Sequence, residues 1–163
     1  MPDNAPLTVY RDEVRAEWVD YNGHLRDAFY MLIFSFATDA LIDRIGLDDA
    51  VRKSRGRSIY TLEAHLNYLH EMREGTPVRV DVRLVAHDAK RLHIYLEMFA
   101  NDGAEPVAAS EQMLLHVDTG GPKAAPFDAD IEARVRALGD AHAALPPGAW
   151  QGRVIGLPSK ARG

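Results

Sequence analysis

Apolar and polar residues alternate in four stretches of this chain, and in a fifth the apolar residues run on every side. From Ala28 to Thr38 no residue carries a charge. Leu25, Ala28, Phe29, Leu32, Ile33, Phe36, Ala40 and Leu41 form one stripe at helical spacing, while Tyr30, Met31 and Phe34 fill the opposite side. A helix apolar all round is surrounded by protein or by lipid. Asp39 and Asp43 end the run well short of the roughly 20 apolar residues that a spanning helix needs, so the spacing predicts a buried helix, stopped at Gly46.

The period then changes to two. Tyr60, Leu62, Ala64, Leu66 and Tyr68 fall on one side of a predicted strand, with Thr61, Glu63, His65 and Asn67 on the other. Val78, Val80, Val82 and Leu84 alternate with Arg79, Asp81 and Arg83, and after a reversal at Asp88, Ala89 and Lys90 the pattern returns as Leu92, Ile94, Leu96 and Met98. Asn101, Asp102 and Gly103 make the next turn, and Val107 to Val117 is a further strand. Leu7 to Val14 is a weaker strand before the helix. Short connections imply antiparallel neighbours, since parallel ones need long crossovers. The expected architecture is α+β, an antiparallel sheet curled around one long helix and burying most of it. Gly120, Gly121 and Pro122 break the pattern, and Asp128 to about Ala144 is a second, amphipathic helix with Ile131, Val135 and Leu138 on one stripe. We divide the chain into a domain over residues 1–145 and an extended tail over 146–163, lying over the surface or a partner subunit.

With 163 residues, 47% hydrophobic and 26% charged, the composition fits one domain with a sizeable core. No cysteine occurs, which removes disulfides, thiolate metal sites and a cysteine nucleophile. The seven histidines show no ligand spacing, so no metal is expected. A net charge of −5 argues against sequence-independent nucleic-acid binding. Met1 to Pro6 lacks the pattern of a signal peptide, so a cytoplasmic location without membrane attachment is the expectation. Arg52, Lys53, Arg55 and Arg57 form a basic cluster, and Lys90 and Arg91 a smaller one; each is a solvated surface or a holder of phosphates.

Directly before the buried helix stand Asp20, Tyr21, Asn22, Gly23 and His24. Read locally, Asp20 and Asn22 make an Asx turn that caps the helix. Read chemically, a carboxylate is aimed from the helix mouth, where backbone N–H groups near Gly23, His24 and Leu25 meet the positive end of the dipole. Glu63 and His65 share a strand face, suited to a polar network, a subunit contact, a second carboxylate or plain solvation.

The run Trp18, Val19, Asp20, Tyr21, Asn22, Gly23, His24, Leu25, followed by Asp27, Ala28, Phe29 and Tyr30, resembles the hotdog-fold acyl-CoA thioesterases related to 4-hydroxybenzoyl-CoA thioesterase, over roughly Leu7 to Asp118. Within that family, Thr61 to His65 and Asp88 to His93 are similar to the thioesterases of carnitine breakdown, which act on betainyl-CoA and can be fused to carnitine dehydrogenase. Many relatives carry Asn where this chain has Asp27, which we read as a first-turn residue favoured by the dipole. The resemblance implies a sheet wrapped around the central helix, hydrolysis of a small acyl-CoA, and Asp20 as general base or nucleophile, with Asn22, Gly23, His24 and Leu25 completing the catalytic turn. It makes Tyr21, Asp27, Tyr60, Glu63, His65 and Tyr68 candidates for the acyl group, and Arg55, Arg57, Lys90 and Arg91 candidates for CoA. A betaine acyl group would need aromatic faces and carboxylates, among them Trp18, Tyr21, Tyr60, Tyr68, Glu63 and Glu71. No cofactor is expected beyond CoA as substrate, and a homodimer or homotetramer is implied. Two alternatives are a hotdog dehydratase or hydratase, and a non-catalytic acyl-CoA sensor or assembly module.

Overall fold

The computed structural model describes residues 4–159, so the last residues of the predicted tail, 160–163, lie outside the described residues. An 18-residue helix, α1 (Asp27–Arg44), is preceded by strand β1 (Leu7–Glu13) and a short 3-10 turn at Ala16–Trp18. A second helix, α2 (Asp49–Arg55), leads into β2 (Arg57–Tyr68), and then β3 (Pro77–His87), β4 (Arg91–Ala100) and β5 (Pro106–Asp118) follow. A two-residue strand, β6 (Lys123–Ala124), pairs with β5 before the last helix, α3 (Ala129–His142). Helix α2 was not expected: its seven residues carry no apolar stripe, and its start is fixed by Asp48, whose carboxylate accepts the Val51 N–H.

The strands form one antiparallel sheet in the order β1-β3-β4-β5-β2, with β6 beside β5. Although only a loop separates β2 from β3 in sequence, the two are not neighbours, and β2 pairs with β5 at the far edge. Val78, Val80, Val82, Leu92, Ile94, Leu96, Met98, Ala108 and Leu114 line the face turned to α1 and are buried. The helix stripe differs from the expected one. Tyr30, Ile33, Phe34, Ala37, Thr38, Leu41 and Ile42 are buried, whereas Ala28 is exposed and Leu32 and Phe36 only half-buried, so most of α1 is covered and its bare side runs through Ala28, Ser35, Asp39 and Asp43. Thr38 bonds the buried Gln112 at 3.3 Å, joining helix to sheet.

A bulge alters β2. Its ladder to β5 shifts between Thr61 and Glu63, so Thr61 pairs with buried Leu114 and faces α1 while Tyr60 joins Glu63 on the outer face. Tyr60 therefore does not share a side with Ala64, Leu66 and Tyr68. Helix α3 packs against β3, where the Leu84 N–H, beside another bulge, donates to His142 Nδ1 at 2.9 Å. Among the described residues no helix is long and apolar enough to cross a membrane.

Candidate active site

The turn at Asp20 is built by its own side chain. Asp20 Oδ1 accepts the N–H groups of Asn22 at 2.8 Å and His24 at 3.1 Å, and the Asp20 N–H and C=O close the loop on His24 and Gly23. Gly23 has φ +77, and a Cβ there would meet nothing within 4 Å. The left-handed turn needs glycine, and the space above it is open. Asp20 Oδ2 has no hydrogen-bond partner among the described residues, so one oxygen is fixed and the other presented. The His24 amide holds the Asp20 carboxyl below its ordinary range, opposed by desolvation and helped by the Asn22 amide and the charges of His24 and Arg26.

Asp20 does not cap α1. Leu25 and Arg26 separate the turn from the helix, and Arg26 occupies the cap position with no side-chain cap bond. Nor are the amides of Gly23, His24 and Leu25 available to an oxyanion: they donate to Asp20 O, Asp20 Oδ1 and Met72 O. The Ala28 N–H is taken by Asp27 Oδ1 at 2.9 Å, whereas the Asp27 amide, first in the helix, has no acceptor among the described residues.

The loop after β2 forms the opposite wall. Leu25 N–H bonds Met72 O at 2.8 Å, Glu74 N–H bonds Gly23 O at 3.4 Å, and His24 pairs with Arg73 as an isolated bridge. His24 Nε2 lies 3.4 Å from Glu71 Oε2. Tyr30 donates to His70 O at 2.9 Å and meets Tyr68 edge to face at 5.3 Å, and Tyr68 in turn donates to Asp27 O at 3.3 Å. Asp20, His24, Asp27, Tyr30, Tyr68 and Glu71 thus share one end of the molecule, with the exposed Tyr21 at the rim. Tyr30 belongs to the helix core, as its place in the apolar run predicts, and its hydroxyl ties α1 to the loop after β2. Trp18 is spent as a prop, stacked on Phe29 with the Arg15 guanidinium 4.5 Å above its ring.

The other candidates lie elsewhere. Glu63 and His65 are on the outer face of the sheet with His93, Glu111 and Arg153, and Tyr60 shares that face. Arg55 and Arg57 spend their guanidinium groups on Asp130, Asp128 and Asp118. Arg91 is paired with Asp88 at the β3–β4 turn. A groove of about 680 Å³ between Leu7, Ile45, Leu138 and His142 sits at the opposite end of α1 from Asp20, roughly 27 Å away along the helix. Among the described residues no group of His, Cys, Asp or Glu is arranged to hold a metal ion.

A family profile described as the thioesterase-like superfamily matches residues 14–135. The chain is similar to a betainyl-CoA thioesterase of Pseudomonas aeruginosa, 56% identical over 152 residues that cover 93% of this chain and 96% of the relative. It is 34% identical to an L-carnitine dehydrogenase/betainyl-CoA thioesterase of Rhizobium meliloti, covering 94% of this chain but 31% of that longer protein. A solved Pseudomonas putida structure assigned to the thioesterases superposes with a TM-score of 0.82 at 46% identity, covering 95% of this chain and 99% of the other.

Proposed function

The chain belongs to the thioesterase-like superfamily, and from that membership we propose that it hydrolyses betainyl-CoA to betaine and CoA as a cytoplasmic homodimer or homotetramer, with Asp20 as general base or nucleophile. One observation carries the role of Asp20: its carboxylate has one oxygen locked by two backbone N–H groups and the other unpartnered beside an open glycine. A carboxylate held below its ordinary pKa is a weak base but is ionised throughout the neutral range.

As base, Asp20 takes a proton from a water whose oxygen bonds to the thioester carbon; the C–S bond then breaks and the proton passes to the departing thiolate. As nucleophile, Oδ2 bonds to that carbon and expels the thiolate, and water then opens the anhydride. In both, negative charge on the acyl oxygen is met by the positive end of α1, where the Asp27 amide lies open. Single turnover in ¹⁸O-water separates the two, since only the anhydride route can leave its oxygen label in Asp20. The chemistry asks for no cofactor.

A trimethylammonium acyl group accepts no ordinary hydrogen bond and is stabilised by aromatic faces and carboxylates. Tyr68, Tyr21 and Glu71 surround the turn and supply both. For CoA's phosphates Lys90 is the candidate of choice, with Arg91 beside it holding the single carboxylate of Asp88, whereas Arg55 and Arg57 already face three carboxylates. In one chain these residues are far from Asp20: Arg91 pairs with Leu115, which pairs in turn with Tyr60, roughly 26 Å along β2 from Tyr68. An antiparallel pairing of two β2 edges would carry the second copy's Lys90 and Arg91 towards the first copy's Asp20, which supports a site shared across a dimer seam.

The test is thiol release from betainyl-CoA and from uncharged aliphatic and aromatic acyl-CoAs, by the native protein and by Asp20→Ala. Selective release that the substitution removes is expected. Equal binding of acyl-CoA by both proteins without any release would sink the hydrolase in favour of a sensor.

A further inference from the structure

Beyond α3 the chain does not leave the molecule at once. The Arg83 guanidinium of β3 donates to the Pro146 carbonyl. Gly148 then lies on the ring of Tyr95 in β4, so closely that any Cβ would overlap it, and the Trp150 N–H bonds the Tyr95 hydroxyl at 3.3 Å. Next, the Gly152 N–H bonds Glu111 of β5 at 2.8 Å. Arg153 stacks on Trp150 at 5.0 Å and borders Glu63 and His65 of β2. The strap therefore crosses the outer face in the order of the sheet itself, β3, β4, β5, β2, and arrives at the edge where no further strand follows.

There its character changes. Residues 154–159 make no hydrogen bond among the described residues, and Val154, Ile155 and Leu157 are 87%, 88% and 97% exposed. A strap anchored at three successive strands and then carrying three bare aliphatic side chains past the sheet's edge is directed at something lying beyond that edge. The edge has its own unmet requirements: β2 spans 12 residues, exposes Tyr60 and Leu62, and offers unpaired main-chain groups along one side.

We infer that residues 154–157 are an arm that crosses this edge onto a second copy of the chain and packs Val154, Ile155 and Leu157 on the outer face of that copy's β2, around Tyr60 and Leu62. The inference rests on the dimer proposed above and adds to it: each copy clasps the other from outside the sheet, while the catalytic turns lie at the ends of the same edge. Continuing the sheet antiparallel into a second copy puts that copy's β2 directly in the path of the strap, with its Tyr60 on the same face as the strap.

Because the chain has no cysteine, the contact can be tested without background. Chains carrying Ile155→Cys are co-expressed with differently tagged chains carrying Tyr60→Cys and treated with a short bis-maleimide, while sedimentation of the untreated native protein reports its association. The expected product joins the two tags, at twice the 18.1 kDa chain mass, and removal of residues 154–163 raises the dimer dissociation constant by ~100-fold or more. A dimer in sedimentation without the mixed product, or with cross-linking only inside a chain bearing both substitutions, overturns the arm and leaves the dimer standing. A monomer at every concentration overturns both. Thiol release measured on each preparation keeps these outcomes apart from failure of the hydrolase reading.

Discussion

Asp20 and His142 both organise backbone around a polar side chain, but they do so in opposite ways. The Asp20 carboxylate takes its hydrogen bonds from amides two and four residues on, and one oxygen is left over. His142 is buried and reaches across the molecule: its Nδ1 accepts from Leu84 in β3, 58 residues away in the chain. A polar group satisfied locally can keep an atom for chemistry, whereas one that ties two distant segments together is spent on the fold. Their electrostatics diverge accordingly, since Asp20 is held charged and burial pushes His142 towards its neutral form.

Substitutions separate the two most sharply. Asp20→Asn should lower kcat by about 100-fold or more, as the loss of a base or nucleophile does, with the thermal midpoint nearly unchanged. His142→Leu should do the reverse. It leaves the buried Leu84 amide without an acceptor, which costs about 1–3 kcal/mol in a denaturant titration while kcat at 25 °C stays at the native value. Comparable kcat losses in both variants would erase the distinction.

Acid tests the same contrast without mutation. His142 has its folded pKa lowered from 6.5, so the unfolded chain takes up this proton first; the stability it lends is present above 6.5 and is lost as pH falls below that value. Asp20 is lowered from 3.8 and stays ionised through this window, so its acid limb in kcat/KM lies below 3.8. Melting temperature should fall between pH 7 and pH 5, less in His142→Leu, while the Asp20 contribution to kcat/KM stays flat. Glu71→Gln is a smaller perturbation, expected to raise KM for betainyl-CoA several-fold and leave an uncharged acyl-CoA unaffected. Smallest of all, prolonged treatment with EDTA should change neither rate nor melting temperature.

Much of this was legible in the sequence, and the exceptions have physical causes. The strands β3, β4 and β5 declare themselves by period two, α3 by its Ile131 and Val135 stripe, and Asp20 by a turn that depends on neighbouring residues. Helix α2 hid because a side-chain cap, not a hydrophobic stripe, starts it. Strand β2 was found, but the extra residue at Leu62 reverses the side on which Tyr60 projects, and period alone carries no sign of a bulge. The strand order was beyond reach because pairing β2 with β5 is a long-range choice. For the same reason the Leu25 amide could not be judged from the sequence: its acceptor is Met72, contributed by a loop far along the chain.

That loop runs from β2 at one edge of the sheet to β3 beside the opposite edge, and the Asp20 turn is fastened to it at Gly23 and Leu25. Neither half of the site has its final shape until the most distant strands have closed on each other. Pairings of this kind are slow to form, because chain entropy is lost before the contacts compensate for it. The carboxylate would be oriented late in folding, and on dilution from denaturant the circular dichroism of the strands should recover ahead of thiol-releasing activity. A nascent chain would then be unable to cleave CoA esters until its architecture is complete, so catalytic competence would report on the finished fold.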